Sequence, residues 1–484
     1  MTRQGTALSN ERGIVLIYVV ITMVAMLLFT GLAVDTGRAY VVKAQLSKAV
    51  DGAALGAARN LNSGNPKGEA TRIFKANFPA GYLGTTSVTD PTTDPNFFSM
   101  KTVQETGLNI VTVTATAKLP TTFMQLANFH ELEVSSSGEA TRRMVDLSLV
   151  LDVSGSIGSK WPAVRDAART FVEAFDKNND RMALVTYGSG ARVLDPMPAS
   201  RGFDKTKLIN DIPTNLPGGS TIMVEGLYRG WDELRSVPAG SQSGLRVIVL
   251  FTDGASNNVP GIFTVNGSTS PPAALRTADF PNNEPDPDNM THDDLNISGL
   301  ADPQTGNNIS GFTFTSPTFH WDSTSTASQL PRLPLTSYHP NHRSSGIPTS
   351  FPLQTSSLTV RGAAQNVRRG LRGTPDASGR YRADIWNINN ASRNLVEIIA
   401  NAARSDTGDY RIRIFTIGMG NLVRFNTGTL KEKSEEILMR AANDKRSPDF
   451  NPNQLEGKYY FAQTEADVGP AFQQLQNQIV RLSK

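Results

Sequence analysis

Between Ile14 and Ala33 the chain carries no charged side chain (IVLIYVVITMVAMLLFTGLA), and only Tyr18, Thr22 and Thr30 supply hydroxyls there. About 20 such residues at 1.5 Å per residue cross the roughly 30 Å hydrocarbon layer of a bilayer. A helix satisfies its own backbone hydrogen bonds in that layer, so the segment is expected to be a transmembrane anchor. The alternative is a signal peptide cleaved after Ala33, since Gly31-Leu32-Ala33 offers the small residues a peptidase needs. The uncharged run is long for such a peptide, however, and no break follows it. Ala39, Val42, Leu46, Ala49, Ala53 and Ala57 recur at helical spacing beyond Asp35, so an uncleaved helix should continue out of the bilayer. Arg3 and Arg12 precede the span while Arg38, Lys43 and Lys48 follow it. That count is nearly balanced. The short leading tail and the very large following region fit an amino end inside and a carboxyl end outside.

The same stretch resembles the amino-terminal segment of TadE/TadG-like Flp (Tad) pilus assembly proteins. The resemblance lies in Arg12-Gly13, the apolar span, the run from Gly31 to Arg38 (GLAVDTGR), Gln45-Leu46 and Asp51-Gly52-Ala53-Ala54-Leu55. Prepilin-like members carry a glutamate five residues after their cleavage glycine, where this chain has Tyr18. The departure favours the membrane-anchored TadG type. By this resemblance the chain is expected to be a single-pass protein of a bacterial inner membrane, with its large domain in the periplasm or at the cell surface.

The chain has 484 residues and no cysteine, which excludes disulfides, thiolate zinc sites, Fe–S clusters and cysteine nucleophiles. Its formal charge is only +3, without runs of like charge, so a nucleic-acid partner is not expected. After a short helix expected at 69–77, the alternating, β-branched segment 108–119 reads as a strand, and 131–140 as another. From Met144 the pattern changes to buried strands at 145–152, 181–187, 245–252, 410–417 and 459–462, with an edge strand at 191–194. Between them lie helical patterns at 161–175, 221–234, 391–404, 430–442 and 465–482. Such alternation predicts a doubly wound α/β sheet. About 130 residues dense in Pro, Ser, Thr, Asn and Gly interrupt it, far more than an α/β connection needs. The expected organisation is a cytoplasmic tail (1–13), the anchor (14–34), a helical extension (35–62), a small β-containing subdomain (63–143), the α/β domain (144–255 and 385–484) and a loop-rich insertion (256–384).

Three segments fall at carboxyl ends of parallel strands, where open α/β sheets bind ligands. Asp152-Val153-Ser154-Gly155-Ser156 follows the first buried strand, and Thr252-Asp253-Gly254 ends the third. Thr221 opens a helix after Gly218-Gly219-Ser220. Two carboxylates and three hydroxyls, without nitrogen or sulfur, suit a hard six-coordinate cation: Mg²⁺ first, with Mn²⁺ or Ca²⁺ as alternatives. The helix after Ser156 should also point its positive end at the site. Each piece alone has an ordinary reading, as a turn or, for Thr221, a helix cap.

Asp152, Ser154, Ser156, Thr221 and Asp253 match the metal-ion-dependent adhesion site of von Willebrand factor A (VWA) domains, and the resemblance covers residues 144–484 apart from the insertion. It implies that Ser154 and Ser156 bind the ion directly, while Thr221 and the aspartates bind directly or through water. Neutral hydroxyl ligands leave the ion electrophilic, so it would take an acidic residue from a pilus or envelope protein. Glu436-Ile437-Leu438, Tyr459-Tyr460-Phe461-Ala462 and Ile479-Val480-Arg481-Leu482 further resemble the tail of TadG-like proteins.

No Gly-x-Ser-x-Gly, His-Glu-x-x-His or Gly-x-x-x-x-Gly-Lys pattern is present, so neither an enzyme nor a small-molecule substrate is expected. Within the insertion, Glu284, Asp286, Asp288, Asp293 and Asp294 lack the ordered ligands of an EF-hand and read as a solvated loop. His292, His320, His339 and His342 read as surface residues, and Arg361, Arg368, Arg369 and Arg372 as a solvated helix. Because the insertion leaves directly after Asp253, it is expected to roof the metal face. Two further alternatives remain: a secreted adhesin released after Ala33, and a metal-free structural subunit.

Overall fold

The apolar run and the periodic stretch beyond it form one uninterrupted helix, α1 (Glu11–Arg59). No proline interrupts the pattern across the boundary at Asp35, so the intrahelical hydrogen bonds continue. The computed structural model describes residues 11–61, 65–103, 108–265, 267–277, 297–312, 332–354, 370–371, 373–383, 385–406, 411–427 and 432–483. They divide into two compact units, separated between Arg142 and Arg143.

In the first unit the two halves of α1 differ in environment. From Val15 onward the first half is exposed and, by length and composition, able to cross a membrane. The second half buries Val42, Leu46, Ala49, Ala53 and Ala57. This face packs on α2 (Pro66–Asn77) and on a sheet of β1 (Ser87–Val88), β2 (Phe98–Val103), β3 (Leu108–Pro120) and β4 (Glu131–Arg143). β3 pairs antiparallel with β1 and β2, and also pairs with β4. Alternation along β3 sends Val111, Val113, Ala115, Ala117 and Leu119 into the core, as period 2 requires.

The second unit is built on a six-stranded sheet. Its strands are β5 (Val145–Asp152), β6 (Arg181–Tyr187), β7 (Ala191–Asp195), β8 (Leu245–Thr252), β14 (Arg413–Met419) and β17 (Lys458–Ala462). The order is β17-β14-β8-β5-β6-β7, with every neighbouring pair parallel except β6 and β7. One face meets α3 (Trp161–Glu173), α4 (Lys205–Asp211) and α8 (Glu465–Leu482). The other meets α5 (Met223–Arg235), α6 (Ile385–Arg404) and α7 (Ser434–Ala442). Both faces of β5 and β8 are covered, which is why their sequences read as continuous apolar runs. The chain leaves β5 toward β6 on one side while β8 lies on the other, so the carboxyl ends of β5 and β8 form a switch point.

Several boundaries differ from the sequence expectation. α5 begins at Met223, leaving Thr221 in the loop before it. α6 begins at Ile385, six residues early, because Ile388 joins its buried face. Glu432 and Lys433 form β16 (Glu432–Lys433), pairing with β15 (Asn426–Thr427), so α7 starts only at Ser434. Ser156 lies in a 3-10 turn (Gly155–Lys160) that precedes α3, so the α-helix itself begins only at Trp161.

The insertion is more ordered than its composition suggests. β9 (Asn258–Gly261), β12 (Ala273–Thr277) and β13 (Ile297–Ala301) form an antiparallel sheet, and β10 (Thr264–Val265) pairs with β11 (Ser268–Thr269). His339 is not a surface residue. It is fully buried, with Nδ1 2.6 Å from Glu225 Oε2 and its ring stacked on Tyr228 at 4.3 Å. Glu225 also pairs with Arg229 at 2.5 Å, and Arg343 pairs with the buried Glu233. α5 therefore presents buried acids that side chains of the insertion contact, a relationship invisible along the chain because the partners lie more than 100 residues apart. The acidic run 284–294, His292, His320 and the arginines at 361, 368, 369 and 372 lie outside the described residues.

Candidate metal centre at the carboxyl ends of β5 and β8

Parallel pairing places the end of β5 beside the end of β8, with Leu151 opposite Phe251. Asp152 is fully buried there. Its Oδ1 accepts the Ser154 backbone N–H at 2.8 Å, and its Oδ2 accepts the Thr252 hydroxyl at 2.6 Å. Ser156, exposed at the rim, donates its hydroxyl to Asp253 Oδ1 at 2.6 Å, and its Oγ lies 3.1 Å from that of Ser154. Four of the five expected residues thus share one hydrogen-bonded network. Thr221 joins through its loop: the Gly155 N–H donates to Gly219 O at 2.8 Å, and the Gly218 N–H to Val153 O at 2.9 Å.

That loop is rigidly held. Gly219 has φ +95°, and a Cβ there would stand 2.2 Å from the Ser189 hydroxyl, so this tight approach requires glycine. Asn257 brackets Thr221, accepting its N–H at 2.9 Å on Oδ1 and donating its own N–H to Thr221 O at 3.2 Å. Thr221 is not the cap of α5: Ile222 occupies the cap position, and no side chain caps it. Thr252 and Asn257 are the positioning residues that sequence reading missed. Thr252 stood inside the Thr-Asp-Gly triplet but read as a strand end, and Asn257 read as the start of a loop.

Burial raises the pKa of both carboxyls. Asp152 is pushed up to about 7 by desolvation and by the neighbouring Asp253 charge, against the opposing bonds from Ser154 and Thr252. Asp253 is pushed up to about 6 by desolvation, opposed by Ser156 and by the Lys160 cation. Asp253 Oδ2 is buried without a hydrogen-bond partner. Two buried carboxyls, one with an orphaned oxygen, beside two serine hydroxyls make a donor set that fits a hard divalent cation. Among the described residues no three His, Cys, Asp or Glu side chains form a metal cluster.

Beside the network lies a cavity of about 360 Å³, lined by Val153, Ser189, Arg192, Gly219, Thr305 and Gly306 among others. Thr305 and Gly306 come from the insertion, held by the Ala191 N–H donating to Pro303 O at 2.9 Å. Residues 303–306 therefore border this face, whereas the segment around His339 packs on α5.

Residues 146–275 match the family model of the von Willebrand factor type A domain, and residues 13–60 that of Flp pilus-assembly TadE/G-like proteins. Solved structures similar to this chain include the vWF domain of the type V pili tip protein Mfa5 from Porphyromonas gingivalis. It is 17% identical at TM-score 0.35, covering 71% of this chain and 98% of that one. The pilus adhesin SpaC from Lactobacillus rhamnosus GG is 14% identical at TM-score 0.36, covering 81% and 35%. The PilB minor pilin from Streptococcus sanguinis is 14% identical at TM-score 0.35, covering 80% and 78%.

Proposed function

We propose that this chain, which joins a TadE/G-like segment to a VWA domain, is a membrane-anchored adhesion or assembly component of a Tad-type pilus that binds its partner through a divalent cation. The paired domains associate the chain with pilus adhesion or assembly, a non-enzymatic role. The finer reading rests on one observation above all: Asp253 Oδ2 is buried and unpaired beside Asp152, in a network with Ser154 and Ser156. Asp152, Ser154, Ser156, Thr221 and Asp253 would hold Mg²⁺, or Mn²⁺ or Ca²⁺ in its place. The ion would supply an electrophilic position for a partner's carboxylate. Thr252 and Asn257 keep the ligands in place, and Gly219 lets the Thr221 loop close on the Asp152 loop. We further infer a single-pass inner-membrane protein whose large domain is extracytoplasmic.

The test is magnesium titration of the purified full-length chain in detergent, by calorimetry and thermal unfolding. Wild type should bind one ion and melt higher with it, whereas Asp152→Ala and Asp253→Ala should lose both responses. A wild-type chain that ignores Mg²⁺, Mn²⁺ and Ca²⁺ would leave a metal-free structural subunit. An intact mass lacking residues 1–33 in cells would instead favour a released adhesin.

A further inference from the structure

Among the described residues of the first unit, a short loop carries large apolar side chains that the protein leaves uncovered. Phe123, Leu126 and Phe129 are 37%, 73% and 59% exposed. They are spaced three residues apart on and around a 3-10 turn (Met124–Ala127). The turn ends at Asn128, which is left-handed at φ +67°, and Phe129 follows it, so the three side chains share one short loop. The loop is closed at its base, where the Thr121 N–H donates to His130 O at 3.0 Å and the Thr121 hydroxyl donates to Phe129 O. It is a built feature.

Its position along α1 is fixed by two contacts. Gly31 is buried against Phe123, and a Cβ at Gly31 would overlap the Phe123 Cβ at 2.2 Å. One turn farther on, the buried Asp35 carboxylate accepts three backbone N–H groups of the loop: Thr122 at 3.0 Å, Phe123 at 2.9 Å and Met124 at 2.8 Å. Arg38 ties the same level to Leu83 O and Pro120 O. These bonds leave the loop little freedom to move along the helix axis. Gly31 lies inside the uncharged run, before its end at Ala33. If that run fills the hydrocarbon layer, a loop seated on Gly31 sits at the membrane boundary.

We propose that the loop 121–130 is a membrane-seated collar, which inserts Phe123, Leu126 and Phe129 among lipid acyl chains beside the exit of α1 and sets the depth of the anchor. The occupant is the bilayer itself, because the patch is continuous with the lipid-facing surface of the span, where Phe29 and Leu28 are also exposed. Apolar side chains at such a level gain by leaving water, whereas the capped Asp35 and paired Arg38 keep the polar groups satisfied at the headgroup depth. The inference rests on the membrane-anchor reading.

The chain lacks cysteine, so single cysteines report cleanly. Leu126→Cys, Phe129→Cys, Met26→Cys in the span and Ser99→Cys on β2 are labelled with an environment-sensitive fluorophore. The full chain is then placed in phosphatidylcholine vesicles carrying shallow or deep lipid quenchers. Ser99 pairs with Thr112, eight residues along β3 from Pro120, roughly 27 Å away at 3.4 Å per residue. Labels at 126 and 129 should be quenched by the shallow lipid at least about threefold more than at 99, and be shielded from aqueous iodide. Labels at 126 and 129 that behave as at 99, while 26 is quenched by the deep lipid, overturn the collar and leave the anchor standing. Loss of lipid quenching at 26 overturns the anchor reading as well. Shielding of 126 from both iodide and lipid means that protein covers the loop, and this too overturns the proposal. Unchanged melting of each labelled variant confirms that the fold is retained.

Discussion

The Ser156 hydroxyl donates to Asp253 Oδ1 at 2.6 Å, joining two loops whose residues stand 97 positions apart in the chain. The bond closes the mouth between the ends of β5 and β8. Ser156 is exposed at the rim, so the bond links a buried carboxyl to a solvent-facing hydroxyl.

The carboxyl pair gives the chain a characteristic pH dependence when chelator holds it metal-free. A carboxyl raised above its unfolded value binds its proton more tightly in the folded state. Stability is therefore greatest at low pH within this contribution, falls as pH rises from the ordinary carboxyl value through about 6 and about 7, and levels above. Asp152→Asn should flatten the decline. Melting between pH 5 and 8 with and without Mg²⁺ checks this; the metal should reverse the trend by favouring the ionised pair.

Ser156 and Thr252 should separate binding from stability. Ser156→Ala takes the hydroxyl donor from Asp253 Oδ1 at the exposed rim, where water can replace it, and should cost about 0.5–1.5 kcal/mol of folding free energy while strongly weakening Mg²⁺ binding. Thr252→Val leaves the buried Asp152 Oδ2 without its donor and should cost about 1–3 kcal/mol even in chelator. Chemical denaturation of each variant, read beside a magnesium titration, resolves the two.

Asn257→Ala tests positioning. The substitution removes the acceptor of the Thr221 N–H while leaving every proposed ligand side chain in place. Magnesium affinity should fall several-fold, and Asn257→Asp, which retains that acceptor oxygen, should recover part of it in calorimetry.

His339→Leu tests the seat of the insertion. It leaves Glu225 to Arg229 alone, while the Ser337 hydroxyl keeps its bonds to the Phe351 backbone, so a loss of about 1–3 kcal/mol is expected with metal binding kept. Replacement of 258–384 by a short linker would take His339 from Glu225 and Arg343 from Glu233, leaving Arg229 to the first and the Met197 N–H to the second. Lower stability, seen in the melting curve, should accompany any change in partner binding.

The convergence of Asp152, Ser154, Ser156 and Asp253 was legible because parallel α/β sheets bring their strand ends together, and the motifs marked those ends. The helix of 49 residues was legible from its uninterrupted periodicity. Less visible were Thr252 and Asn257, whose side chains act on residues remote in sequence, and His339, whose burial depends on acids of α5. The start of α5 was misplaced because Thr221 reads as a helix opener after Gly218-Gly219-Ser220, whereas Ile222 takes the cap position.

The sequence by itself determined the apolar helix, the alternation of strands and helices, and which oxygen-bearing residues stand at the strand ends, since local periodicity and residue chemistry suffice for these. Tertiary structure alone decided that Asp253 keeps an unpaired oxygen, that Asn257 holds Thr221, and that a loop beyond Pro120 sits on Gly31. Each depends on distances between segments far apart in the chain, which folding sets and no local pattern encodes.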